Sequence, residues 1–400
     1  MRVLPWFVLL AFVPGALAEE AADDERDFHR RVDAAITKGA AWLATRQADD
    51  GHWKSGYDAQ FAGGTTALSL LALLESEFNR HDPVVERGLK AMYASPLDKV
   101  YSAAIAMMVV EAYRVPPGER KARREGVAFE DTVRKLSDAE KELMRAKLAL
   151  IVNGREHNAW GYPGKPQNAG PGWPGDLSNT QYALLGMKAA ARCGFESDER
   201  VYLDILRILL DAQEQEGEKV KLMVDRKVTK DGYGDEIIRP ATVRGWRYKW
   251  RVVVKSGRST QAFNVTEDDK PSGSMTCAGI SCLAIIHSEM HRKPKYRSKM
   301  KDVRDAIDSG FAWLDANWSV EDNPGGKIEW HYYYLYGLER AGMLTDRRWV
   351  GHHDWYREGA EYLLDQQGGA GGWSGDVLKT CFALLFLKRS TQPVTTTGIK

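Results

Sequence analysis

Residues 175–190 read GDLSNTQYALLGMKAA, with Asp176 two positions before the polar triplet Ser178-Asn179-Thr180. A carboxylic acid there could donate a proton at the mouth of a site. The plainer reading is a capped start of the helix announced by Tyr182, Ala183, Leu184, Leu185 and Met187, with Ser178 or Asn179 as the cap and Asp176 favouring the positive helix end. A second acidic group, Glu267, Asp268 and Asp269, lies in TEDDKPSGSMT (266–276). Pro271 and Gly273 separate it from a helix starting near Ser274, so it reads as an acid-bearing or cation-holding lid, or as a solvated turn. The stretch WHYYYLYGL supplies Trp330, His331, Tyr332 and Tyr336. Tyr332 and Tyr336 share a helix face, and the four together could line a polar-aromatic ligand cavity or pack against neighbouring helices.

The elements that must position these residues come from an internal repeat, which bears on architecture before any single motif does. KGAAWLATRQADDGHW (38–53) and EGAEYLLDQQGGAGGW (358–373) share one pattern: Gly, aromatic-Leu, Gln, Gly and Trp at fixed spacing. A polar loop and a second apolar helix follow each, TTALSLLALLE from Thr65 and KTCFALLFLKR from Lys379. Weaker copies fill the middle: VVERGLKAMYAS before VYSAAIAMMVVEAY, AKLALIVNG before the stretch around Asp176, VYLDILRILLDAQ before SGSMTCAGISCLAII, and SGFAWLDANW before HYYYLYGLERAG. The pattern predicts about six helical pairs, each of which must stack on its neighbours to bury its apolar face. Such pairs can close into a ring with one helix of each pair inside. Within the repeat, Gln47 and Gln367 can tie a helix end to its loop, Gly51 and Gly371 permit a tight reversal, and Trp53 and Trp373 cover the loop.

Between about 218 and 270 the pattern breaks. KVKLMVD and WRYKWRVVV alternate like strands around a turn-like TKDGYGDE, which predicts a small β-hairpin excursion. Formal net charge is +1 over 400 residues, with 44% hydrophobic residues. That suits one large core and gives no pointer to nucleic acid. Arg2, the apolar run Val3–Val13 and Ala16-Leu17-Ala18 read as a secretory signal peptide over 1–18. A domain over 19–390 and a disordered tail over 391–400 complete the expected organisation, with no membrane span and a periplasmic or secreted location. Cys193, Cys277, Cys282 and Cys381 include no C-x-x-C pair; all four read as core residues, with one disulfide as the alternative.

The repeat at Lys38–Trp53 and Glu358–Trp373 resembles the QW motif of squalene and triterpene cyclases, a pattern shared more loosely with protein prenyltransferase β subunits and thioester-containing complement domains. The resemblance covers nearly the whole chain after residue 18. It implies an all-α fold, an (α/α)6 toroid. It speaks less clearly about chemistry, because function resides in sites rather than folds.

Carried onto this chain, the cyclase acid motif Asp-x-Asp-Asp-Thr falls on Asp176-Leu177-Ser178-Asn179-Thr180. Only the first Asp and the Thr remain, so the alkene-protonating acid is lost from its place, and Asp176, Asp268 and Asp269 are the carboxylates left as catalytic candidates. The prenyltransferase zinc set falls on His331 and Cys277, but Met275 stands where its Asp should be, and Asp269 would have to substitute. No metal and no cofactor are therefore expected. CGFE at Cys193–Glu196 lacks the Gln of a thioester. The expected function is an exported cyclase- or prenyltransferase-like protein that holds or acts on an isoprenoid or other apolar molecule in a central cavity. Export stands against a standard member, whose isoprenoid diphosphates are made inside the cell. One alternative is a non-enzymatic envelope scaffold or protein-binding module, favoured by a filled centre. Another is a secreted polysaccharide-active enzyme, favoured by paired carboxylates beside a groove.

Overall fold

The computed structural model describes residues 14–119, 132–155, 159–161, 175–229, 232–249, 252–256, 259–263 and 270–391. The chain is mostly helical. In sequence order the helices are α1 (Pro14–Ala44), α2 (Gly64–Glu75), α3 (Pro83–Ala94), α4 (Val100–Tyr113), α5 (Asp138–Asn153), α6 (Leu177–Arg192), α7 (Glu199–Ala212), α8 (Gly273–Met290), α9 (Met300–Ala316), α10 (His331–Thr345), α11 (Trp355–Gln366) and α12 (Val377–Lys388). The even-numbered helices are apolar on nearly every face and almost wholly buried; α8, for example, buries every residue from Gly273 to His287. The odd-numbered ones are more amphipathic: α7 buries a single stripe of Val201, Tyr202, Ile205, Leu206 and Leu209, while α9, which also carries an inserted hairpin, buries Ala306 to Leu314. An all-round apolar helix has to be enclosed, whereas an amphipathic one can cover it.

Packing follows that division. The even-numbered helices touch in the order α2, α4, α6, α8, α10, α12, and α12 packs on α2. Odd-numbered helices pack on pairs of these: α5 on α4 and α6, α11 on α10 and α12, α1 on α12 and α2. Caps start the helices where the sequence offers them. Asp82, Asp198, Asp354 and Asp376 each accept a backbone N–H of their first turn, and Ser137 and Glu140 form a reciprocal capping box.

The repeat residues perform the same task in each copy. Trp53 Nε1 donates to Leu43 O at 2.7 Å and Trp373 Nε1 to Leu363 O at 2.8 Å, both last-turn carbonyls. Gln47 Nε2 donates to Gly51 O at 3.0 Å and to Val84 O of α3 at 2.8 Å. Gln367 Nε2 donates to Gly371 O at 2.8 Å and to Ala35 O of α1 at 2.9 Å. Gly51 and Gly371 have φ of +84° and +108°. A Cβ on them would stand 2.8 Å from Arg87 O and 2.6 Å from Lys38 O, so only glycine fits.

The weaker copy that begins at VYLDILRILLDAQ makes the same Gln and Trp contacts, with Arg244 in the place of the loop glycine. Gln213 Nε2 donates to Arg244 O at 3.0 Å and to Ala306 O of α9 at 2.9 Å, and Trp246 Nε1 donates to Leu209 O at 2.9 Å. Between Gln213 and Trp246 an antiparallel hairpin is inserted, β1 (Lys219–Thr229) with β2 (Gly232–Thr242). This corrects the expected strand over 246–254. Trp246 to Lys249 is not strand, because Trp246 is drawn into the core as the repeat tryptophan, and Gly232–Glu236, expected as turn, is strand. A separate hairpin pairs β3 (Val252–Ser256) with β4 (Ser259–Phe263). The β1–β2 hairpin packs on α9 and on β5 (Trp349–Val350), which pairs with β6 (His353–Asp354). Arg239 of β2 lies 3.6 Å from Asp308 of α9, which also pairs with buried Arg347.

The four cysteines are buried and free. No helix among the described residues is long and apolar enough to cross a membrane. Residues 1–13 of the expected leader and 392–400 of the expected tail lie outside the described residues. Thr391 is buried against Glu339.

Candidate functional site

Asp176 is the N-cap of α6, in place of the expected Ser178 or Asn179, which lie within the first turn of the helix, and it is almost fully buried. Its Oδ1 accepts from Ser178 Oγ at 2.6 Å and from the Asn179 backbone N–H at 2.8 Å, and its Oδ2 accepts from Asn179 Nδ2 at 2.8 Å. Ser178 and Asn179, which stand where the resemblance would put two further acids, are thus the partners that hold Asp176 in the cap. Asp268, Asp269 and Glu267 lie outside the described residues.

The aromatic cluster divides at the start of α10. Trp330 ends a short 3-10 turn and stays 40% exposed, its ring 6.0 Å from that of Tyr57, which is 42% exposed. His331 is buried, with Nε2 2.9 Å from Val320 O. A carbonyl only accepts, so Nε2 carries the proton. Burial lowers the His331 pKa, which favours neutral imidazole. Tyr332 is buried beneath Lys379, whose Nζ stands 5.7 Å from the ring, and burial pushes its hydroxyl up to about 12. Cys277 is fully buried in α8 with its thiol pushed up by burial. No cluster of three metal-ligating side chains occurs among the described residues.

Tyr336 leads to a group that the residue-by-residue reading missed. Its ring lies 4.1 Å from the guanidinium of Arg340, one turn on. The same guanidinium stands 5.1 Å from the ring of Tyr182 and 5.9 Å from that of Tyr333. Arg340 Nη2 donates to Gln181 Oε1 at 3.1 Å, Tyr333 Oη donates to the same oxygen at 3.2 Å, and Arg340 Nη1 is 3.4 Å from Tyr182 Oη. Arg340 and Gln181 are both completely buried. These contacts join α6 to α10, which are not neighbours in the packing order; both pack on α8. They therefore cross the interior. Aromatic contacts extend the belt to Tyr101 of α4, 4.4 Å from Tyr182, and to Phe382 of α12, 6.0 Å from Tyr336. The sequence signal was the stripe Tyr333, Tyr336, Arg340 at helical spacing.

Toward the carboxyl ends of α2, α4 and α6 a cavity of about 60 Å³ remains, bounded by Leu71, Glu75, Met108, Leu185, Tyr336 and Thr391. That is room for a few waters. No protein-family model matches the chain, and no curated protein matches it.

Two further features mark the surface. Tyr57, Ile328 and Trp330 expose apolar area beside the amino-terminal ends of α2 and α10, with Ile328 70% exposed. Elsewhere His353 Nδ1 lies 3.1 Å from Glu358 Oε1, its ring stacks on Trp318 at 4.6 Å, and Trp318 Nε1 donates to Glu358 Oε2 at 2.7 Å. This orients an imidazole, but a nucleophile is not among its described partners.

Proposed function

We propose that helices α1 to α12 form an (α/α)6 toroid of the kind the QW-like repeat resembles, and that the protein is an exported, non-catalytic binding module of the cell envelope. The observation that carries this reading is the packed interior, where Arg340 and its tyrosines stand in the space an apolar ligand would need. Pockets for small molecules run to roughly 300–1,000 Å³; the cavity beside Tyr336 holds about 60 Å³, and a separate cleft between Val133, Arg192 and Glu289 about 250 Å³. Engagement of Asp176 as a helix cap also argues against acid catalysis. The binding face on this reading is the rim that carries Tyr57, Ile328 and Trp330, whose exposed rings suit an envelope protein or polymer.

Two assays test it. Tryptophan fluorescence titrations with farnesyl diphosphate, and with squalene in detergent, are expected to show no saturable change, and product analysis no turnover. Saturable binding abolished by Tyr336→Ala would overturn the reading in favour of an isoprenoid-holding ring. Co-sedimentation with isolated envelope polymer and envelope protein fractions is expected to fall about tenfold in a Tyr57→Ser/Trp330→Ser double variant, the scale of one interface hot spot. Sedimentation unchanged by the double variant would remove the rim from the proposal.

A further inference from the structure

Arg340 is a fully buried cation, and an arginine does not discharge at any accessible pH. A buried guanidinium ordinarily stands against a carboxylate, because an uncompensated charge in the interior is costly. Among the described residues no carboxylate lies within ion-pair distance of Arg340. Its neighbour Glu339 turns to Thr391, accepting the backbone N–H at 2.8 Å and the hydroxyl at 2.7 Å. What faces the guanidinium is three tyrosine rings, at 4.1, 5.1 and 5.9 Å, and the amide oxygen of Gln181 at 3.1 Å. Arg340 Nε and Gln181 Nε2 have no hydrogen-bond partner among the described residues.

We propose that the interior between α6 and α10 is a receptor for a planar guanidinium-class cation, built from Tyr182, Tyr333, Tyr336 and Gln181, and that the chain fills it with its own Arg340. The faces of neutral tyrosines attract a desolvated cation through the ring quadrupole, and the planar guanidinium stacks on them as an ammonium cannot. Burial keeps the Tyr336 hydroxyl protonated by raising its pKa. The attraction is therefore to the ring face and not to a phenolate. Gln181 supplies the one strong acceptor and fixes the in-plane orientation by taking both Nη2 and the Tyr333 hydroxyl. The arrangement joins non-adjacent helices of the interior through one side chain. It does not depend on the rim binding proposed above.

An Arg340→Ala variant vacates this receptor. In thermal denaturation, methylguanidinium chloride is expected to raise the variant's Tm saturably, by about 2 °C at ten times its Kd. Equal concentrations of methylammonium chloride and sodium chloride should not, and the wild-type protein should show no saturable rise. Equal effects of the three salts on the variant would overturn the proposal. Should Arg340→Ala fail to fold, the wild-type protein decides. Ring currents of the tyrosines should shift one arginine Hε resonance upfield and burial should protect it from exchange, and that resonance should vanish in Arg340→Lys. Absence of such a resonance overturns the proposal, as would a bromide ion found against Arg340 Nε in bromide-soaked crystals, since an anion would then supply the counter-charge.

Discussion

The side chain of Gln367, near the end of the chain, donates to the backbone oxygen of Ala35, near its start, at 2.9 Å. Gln47 makes the same bond forward to Val84 at 2.8 Å and Gln213 to Ala306 at 2.9 Å. The junction between the last helical pair and the first is therefore chemically the same as two junctions inside the chain. Loss of any one leaves a carbonyl and a loop oxygen without their donor, a cost of about 1–3 kcal/mol where they are buried. Gln213→Ala, Gln367→Ala and Gln47→Ala are expected to lower unfolding free energy by similar amounts in urea titrations. A neutral Gln367→Ala beside a costly Gln213→Ala would show that the first and last pairs do not depend on each other in this way.

Gly51→Ala and Gly371→Ala test the reversal at the same junctions. Positive φ costs an L-residue about 1–2 kcal/mol, and the new Cβ would also press on Arg87 O or Lys38 O. Each variant is expected to lose more than 1 kcal/mol by denaturant unfolding, with the larger loss at Gly371, where the approach is closer. Unchanged midpoints for both would contradict the geometry.

How much of this was legible depends on how local each relationship is. The helical pairs were readable because Gln, Gly and Trp recur at fixed spacing in 38–53 and 358–373. Gln213 and Trp246 make the same contacts, yet the β1–β2 hairpin stands between them, so the copy reads as a weak one and Trp246 as part of a strand. A capped helix start at 176–180 could be read from its own first turn, though the cap is Asp176 and not Ser178 or Asn179. Trp330 and His331 are sequence neighbours, but a 3-10 turn ends at one and a helix begins at the other, so one faces solvent and the other the core. Arg340 was the hardest to see. Gln181 and Tyr182 reach it only through the packing of α6 near α10, and its one local sign is the helical spacing of Tyr333, Tyr336 and Arg340.

Replacing residues 218–243 by two glycines tests whether the hairpin is an excursion from the helical body. Its ends already meet, with Val243 N donating to Glu218 O at 2.8 Å. Burial of Leu222, Met223 and Val224 is lost, which at about 1.5–3 kcal/mol per side chain is a real destabilisation. The repeat contacts of Gln213 and Trp246 remain. Far-ultraviolet circular dichroism should keep its helical signature and a single unfolding transition should persist at a lower midpoint. Loss of cooperative unfolding would mean that the hairpin is part of the core.

Glu339 sets a pH dependence of stability whose sign can be worked out. Burial raises its pKa from 4.5 to about 8, against the opposing pull of the Thr391 N–H and hydroxyl and of Arg340, with Glu75 adding to the rise. Between those two values the unfolded chain has released the proton that the folded chain still holds. The folded state then binds more protons, and stability falls as pH rises through that window. Below it both states are protonated, and above it both are ionised, so the slope vanishes at either end. Glu339→Gln keeps the volume and cannot titrate. Unfolding midpoints measured at several values between pH 5 and 8 should therefore decline more steeply for the wild-type protein than for Glu339→Gln. Parallel slopes would show that the Glu339 carboxyl titrates near its ordinary range, and that the Thr391 hydrogen bonds outweigh its burial.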